Sequence, residues 1–201
     1  GECYVNPADV ALLYEHGDID KRYGFVMGGG KPEGAFVPKK EDVVPPCAVK
    51  TLPVQDGDVF DLGGVQIEAI AVPGHTAGTM VYLDRARRVL YSGDACNANT
   101  LLGLPCSTTV ETYAKSLDHL ATYLKGIDKF YGGHGLQAVP AYIVDEAMIL
   151  CEEILSDDDD RFETEFLGRK FLYARKFDGM FHREDGGIAN IAYVMEKVYN
   201  K

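Results

Sequence analysis

Basic side chains are scarce in this sequence: 20 Lys and Arg stand against 31 Asp and Glu, a formal net charge of -11. A surface of that sign repels phosphate backbones and anionic lipid, so neither nucleic acid nor membrane is an expected partner. Cysteine is sparse and shows no pairing pattern. The five are Cys3, Cys47, Cys96, Cys106 and Cys151, an odd number without a CxxC spacing, which indicates neither a disulfide framework nor a zinc ribbon. Reducing cytoplasm is the compartment this usage predicts. No apolar run approaches the roughly 20 residues needed to span a bilayer, although the polar start at Gly1 is compatible with a removed leader. Internal repeats are lacking too. What is present is ordinary for a globular chain: 201 residues, 46% of them hydrophobic, fit one domain.

The informative stretch is residues 72–97, VPGHTAGTMVYLDRARRVLYSGDACN. Runs rich in β-formers at 65–72, 79–83 and 88–92 predict three neighbouring strands. Pro73-Gly74 stops the first before His75, and Gly78 turns the chain again, so the imidazole sits on a short, stiff corner. Gly93 does the same for Asp94. Two ligand-type side chains thus emerge from one sheet edge among hydrophobic walls, as metal and catalytic sites are built. Residues 128–135, DKFYGGHG, repeat the arrangement around His134. A single corner histidine means little, but His, Asp and His on three successive corners are hard to explain structurally.

PGHTAG, YSGDACN and YGGHG together resemble the later metal motifs of the metallo-β-lactamase superfamily, in the version of glyoxalase-II-like hydrolases. The resemblance covers residues 1–155 and is most specific at PGHT and GD. It implies an α/β (α+β) fold, the αββα sandwich, and a site for one or two metal ions, usually zinc. It also implies that His75 ligates the first metal, Asp94 bridges the two, and His134 ligates the second. The family's HxHxDH motif is missing, since the five histidines are His16, His75, His119, His134 and His182. In relatives that motif lies just before a segment like residues 5–13, so the expected fold is N-terminally incomplete, with a natural half-site protein as the alternative. A sheet without its first strands leaves an open edge, and open edges pair, so a homodimer through that edge is expected.

The rest of the chain falls around this centre. A strand at 2–5 leads to a helix capped by Asn6 with Pro7 at its first position. The Gly- and Pro-rich residues 17–46 read as a loop, a lid in family terms, while the wrong glycine spacing rules out a phosphate loop at Gly30-Lys31. Short antiparallel strands are expected over 51–60, and the strand 65–72 should turn Val65, Ile67, Ala69 and Ala71 to the core. Thr108 and Glu111 form a T-x-x-E capping box for a helix to about residue 125, and a second helix spans 140–155. Residues 156–201 make a C-terminal β/α extension packed on the same domain: a solvated SDDDD run, strands over 165–177 and 187–194, and a closing helix. His119 reads as an exposed helix histidine and His182 as a loop histidine. Cys151 is a packing thiol.

Imidazole and carboxylate donors without thiolate suit zinc and leave room for water, while iron and manganese take the same ligands. Such a metal activates water near neutral pH, and a carboxylate can face two cations. Asp94 is therefore the catalytic residue expected to matter most. Cys96, two residues on, is geometrically able to join as a ligand, and Thr76 is expected to orient the His75 loop. Tyr91, Tyr131 and Tyr193 are further candidates for substrate contact. The leading expectation is a metal-dependent hydrolase of a small-molecule ester, thioester, lactone or phosphoester, with the chain itself inactive for want of HxHxDH. An iron-dependent oxidoreductase on the same fold and a non-catalytic relative are the alternatives.

Overall fold

The computed structural model describes residues 2–14, 39–42, 49–134, 138–166 and 169–201. The lid expected at 17–46, His16 and Cys47 therefore lie outside the described residues, apart from a 3-10 turn at Lys40–Asp42. In chain order the elements begin with β1 (Glu2–Val5), a 3-10 turn at Pro7–Asp9, helix α1 (Val10–Tyr14), β2 (Lys50–Pro53) and β3 (Val59–Asp61). Then come β4 (Gln66–Ala71), β5 (Met80–Asp84), β6 (Val89–Gly93), β7 (Thr100–Leu101) and helix α2 (Val110–Ala121). They close with β8 (Lys129–Gly132), β9 (Val139–Pro140), helix α3 (Ile143–Ser156), β10 (Phe162–Phe166), β11 (Arg169–Tyr173) and β12 (Ile191–Tyr193).

Strands β3-β4-β5-β6-β8-β9 form the principal sheet. Its neighbours are antiparallel except β6 and β8, which run parallel. Parallel neighbours need a crossover connection, and here α2 supplies it. Because β4 is antiparallel to β5, and β5 to β6, the strands β4, β6 and β8 all point one way. Their carboxyl ends finish on the same sheet edge, and the three corners follow those ends. A shift of register between Tyr91 and Gly93 against β8 marks a bulge, with Gly93 at φ +52°, and it re-aims the chain as it enters Asp94.

Helices α2 and α3 pack on one face of this sheet. Leu117, Leu120, Leu150 and Ile154 from the helices bury against Ile70, Val81, Leu83, Leu90 and Phe130 from the strands. Each such side chain contributes about 1.5–3 kcal/mol when fully buried. The second sheet, ordered β10-β11-β12-β7, is built from the tail and docks in parallel onto β7. Ile191, Tyr193 and Val198 join the same core as the two helices.

Several expectations are corrected. β2 pairs with β1 in parallel rather than opening an antiparallel run, and only β3 is antiparallel to β4. On β4 it is Ile70, followed by Val72, that enters the helix-packed core, while Ile67 and Ala71 stay half-buried. Counting apolar residues on one strand does not tell which face the helices choose. The α2 cap is Thr109, whose hydroxyl accepts from Thr112 N at 3.1 Å, and Glu111 turns to Lys115 and Asn200 instead of closing a capping box. Tight i to i+3 bonds after Ala121 end that helix early. α3 begins at Ile143 because Val139 and Pro140 are spent as the edge strand β9, a place that tolerates a proline. The tail strands form a hairpin, Phe162–Phe166 with Arg169–Tyr173, and the closing helix shrinks to a 3-10 turn at Met195–Lys197. The SDDDD run is not wholly solvated either. The Asp159 side chain is buried, accepting from Tyr193 OH at 2.6 Å with Arg161 at 3.3 Å.

Candidate metal centre

His75 stands on a corner held from every side. Ser116 Oγ donates to Pro73 O at 2.7 Å, and Ser107 Oγ donates to His75 O at 2.8 Å. Thr76 Oγ1 donates to Asp9 Oδ2 at 2.5 Å, and Gly78 N donates to Asp9 Oδ1 at 2.9 Å. A Cβ on Gly74 would lie 2.4 Å from the Tyr113 ring, so only glycine lets that ring pack beneath the turn. The imidazole Nδ1 lies 3.0 Å from Leu101 O. A carbonyl oxygen can only accept, so Nδ1 carries the hydrogen, and in the neutral ring Nε2 keeps its lone pair. This is the state in which a histidine binds a metal.

Asp94 follows the bulge at the end of β6. Its Oδ1 lies 3.3 Å from His134 Nε2 and accepts from Asn97 Nδ2 at 3.4 Å. Gly133 N donates to Gly93 O at 2.8 Å, and a Cβ on Gly133 would come within 2.9 Å of Asp94 Oδ1. Parallel pairing of β6 and β8 thus sets Asp94 and His134 side by side. Tyr113 reaches this corner as well, its hydroxyl donating to Ala95 O at 2.7 Å. One buried tyrosine therefore braces the loops of both His75 and Asp94.

His75, Asp94 and His134 open into one cleft of 570 Å³. Asn97, Asn99, Leu101 and Leu104 line it as well, together with Phe166, Met180 and Phe181 from the tail. Among the described residues no three His, Cys, Asp or Glu side chains come close enough together to hold a metal ion. The donors suit a metal by chemistry and by the ring state of His75, but they make a partial set: an adjacent Asp94–His134 pair, with His75 on the same cleft wall. A separate hollow of 640 Å³ between α2 and α3 carries Asp118, Asp145 and Glu152 and no imidazole.

The remaining candidates sort clearly. Thr76 orients the loop through Asp9, as its place beside His75 suggested. Cys96 lies in the core, with its thiol toward Ile143 O at 3.7 Å and pushed by burial up to about 12, so it faces away from the cleft and stays protonated. Burial likewise raises the Cys151 thiol, which packs inertly. Tyr91 and Tyr131 stack on each other at 6.1 Å on the exposed sheet face, and Tyr193 is buried against Asp159, so none of the three lines the cleft. His119 ties α2 to Asp56 at 3.1 Å, and His182 pairs with Asp178 at 3.2 Å. The loop 98–107 was expected to border the site, and its residues Ala98, Asn99, Leu101 and Leu104 do line the cleft; sequence reasoning missed Asp9 and the tail residues. Of these only Asp9 carried a local signal, as an acid in the first turn after the Asn6 cap.

Comparison with known proteins bears on the family and the fold. The sequence model of the metallo-beta-lactamase superfamily matches residues 7–161. The chain belongs to the metallo-beta-lactamase superfamily. Acyl-coenzyme A thioesterase MBLAC2 of Homo sapiens is 31% identical over 86 residues, covering 42% of this chain and 31% of that protein. Hydroxyacylglutathione hydrolase of Mesorhizobium japonicum is 38% identical over 120 residues, covering 58% of this chain and 41% of its own. A metallo-beta-lactamase family protein from Thermus thermophilus superposes with a TM-score of 0.53 at 21% identity, over 78% of this chain and 55% of that one. The fold is accordingly the metallo-beta-lactamase fold. The chain spans about a third of the length of the first of these relatives, 31%. No helix among the described residues is long and apolar enough to cross a membrane.

Proposed function

We propose that this chain supplies His75, Asp94 and His134 to the metal site of a hydrolase that cleaves a small-molecule ester, thioester, lactone or phosphoester. The observation that carries this is the convergence of three corners, from β4, β6 and β8, on one cleft. Zinc is the proposed metal, with iron and manganese suited to the same donors. A metal bound there would lower the pKa of a water towards neutrality and polarise the scissile carbonyl or phosphoryl oxygen. His75 offers Nε2, with its tautomer fixed by Leu101 O. Asp94 offers a carboxylate whose direction is set by Asn97, and His134 lies within reach of the same ion.

The sequence contains no HxHxDH run, and we propose that these residues alone form a partial site with little turnover. Zinc titration of the purified chain against a chromophoric chelator tests the assignment. One weak site is expected, loosened about tenfold or more by each of His75→Ala, Asp94→Asn and His134→Ala, the scale seen for lost metal-site groups. Binding indifferent to all three substitutions, or none at millimolar zinc, would overturn it.

A further inference from the structure

Part of the lining of the cleft that holds His75, Asp94 and His134 comes from residues beyond 161, where the family match ends. This part is made of Phe166, Met180 and Phe181. Met180 is 72% exposed, an unusual place for a large apolar side chain. Phe181 has φ +64°, a left-handed conformation that is an outlier for a bulky residue and that only surrounding structure can impose. That structure is visible. Asp178 Oδ1 accepts from Met180 N at 2.8 Å and His182 N at 3.0 Å, while Phe181 N donates to Asp178 O at 3.0 Å. Phe177 bridges to Arg183 across the same turn, and its ring stacks on Phe181 at 5.0 Å, with Phe166 edge-on to Phe181 at 5.3 Å. A strained aromatic is thus locked in place beside an exposed methionine, and both line the cleft that His75, Asp94 and His134 also line.

We propose that the 177–183 turn is an apolar recognition arm: Met180 and Phe181 seat the hydrocarbon chain attached to the scissile carbonyl of an uncharged substrate. The proposal rests on the hydrolase reading for which end of the substrate meets the donors. It narrows the substrate to one whose scissile carbonyl carries an apolar chain. Strain at Phe181 is then held for ligand binding rather than for folding.

Calorimetric titration with unbranched primary amides, butanamide to octanamide, into the metal-free chain tests the arm without needing turnover. Affinity is expected to rise about fourfold per methylene, the scale of burying a CH2 group. Met180→Glu, at an exposed position, is expected to leave the melting temperature unchanged and to abolish that increment. Phe181→Gly relieves the left-handed strain but loses the ring contacts with Phe177 and Phe166, so its melting temperature is expected close to that of the parent while octanamide binding falls tenfold or more. Affinity independent of chain length, or an increment kept in both folded variants, would overturn the arm even if zinc binding follows His75, Asp94 and His134. A chain-length effect lost in Met180→Glu would uphold the arm even if zinc ignores those donors, in which case only the hydrolase reading falls.

Discussion

The His75 corner and the His134 corner carry the same side chain after the same kind of strand, yet they are held in opposite ways. His75 is fixed by hydrogen bonds from its ring and its carbonyl, by Asp9 across the turn, and by Tyr113 packed under Gly74. His134 is 84% exposed in its side chain, and its ring meets the carboxylate of Asp94. The difference teaches that one imidazole is pre-organised by the fold, whereas the other projects into solvent with a single carboxylate beside it. A site built this way keeps one fixed reference point and one exposed one.

Substitutions can break or sharpen that contrast. The largest effect is expected at Tyr113→Ala, which empties a fully buried ring site and frees both the His75 and the Asp94 loops. A loss of about 3–5 kcal/mol in urea unfolding is expected. Next comes Gly74→Ala: the added Cβ meets the Tyr113 ring at 2.4 Å, and over-packing of this kind costs about 1–3 kcal/mol. Denaturant midpoints will show whether the ring yields.

Asp9→Ala leaves Gly78 N without its acceptor and Thr76 Oγ1 with Thr79 Oγ1 alone, and leaving such a part-buried donor unmet costs about 1–2 kcal/mol. Its zinc affinity should fall through His75, although Asp9 lies outside the donor set. At the other corner stability should hardly respond. Gly133→Ala crowds Asp94 Oδ1 at 2.9 Å and is expected to cost under about 0.5 kcal/mol in unfolding while weakening zinc clearly. His134→Ala should be the most silent in stability, within about 0.5 kcal/mol, as fits an exposed side chain. If His134→Ala unfolded the chain as readily as Tyr113→Ala does, the contrast between fixed and exposed corners would be gone.

The three corners were legible in the sequence because each is a local pattern: a β-rich run, a glycine or proline stop, then a polar donor. So were the two helices, through their apolar spacing. Their boundaries were not, since Val139 and Pro140 read as a helix start until β8 is seen to need an edge partner. Cys96 looked like a neighbour of Asp94 in sequence, but the turn after the Gly93 bulge sends its thiol into the core. Asp159 looked like one of four solvated acids until Tyr193 and Arg161 enclosed it.

By itself the sequence determined the strand stops and the turns that carry His75, Asp94 and His134, because stiff corners depend on residues within a few positions of each other. Only the tertiary structure decided that β4, β6 and β8 run in one direction and so bring the corners to one edge. It also decided that Tyr113 and Asp9 brace them, and that Phe166, Met180 and Phe181 close the cleft. Those relations join residues far apart in the chain, and the pairing of strands and the packing of side chains, rather than any local preference, set them.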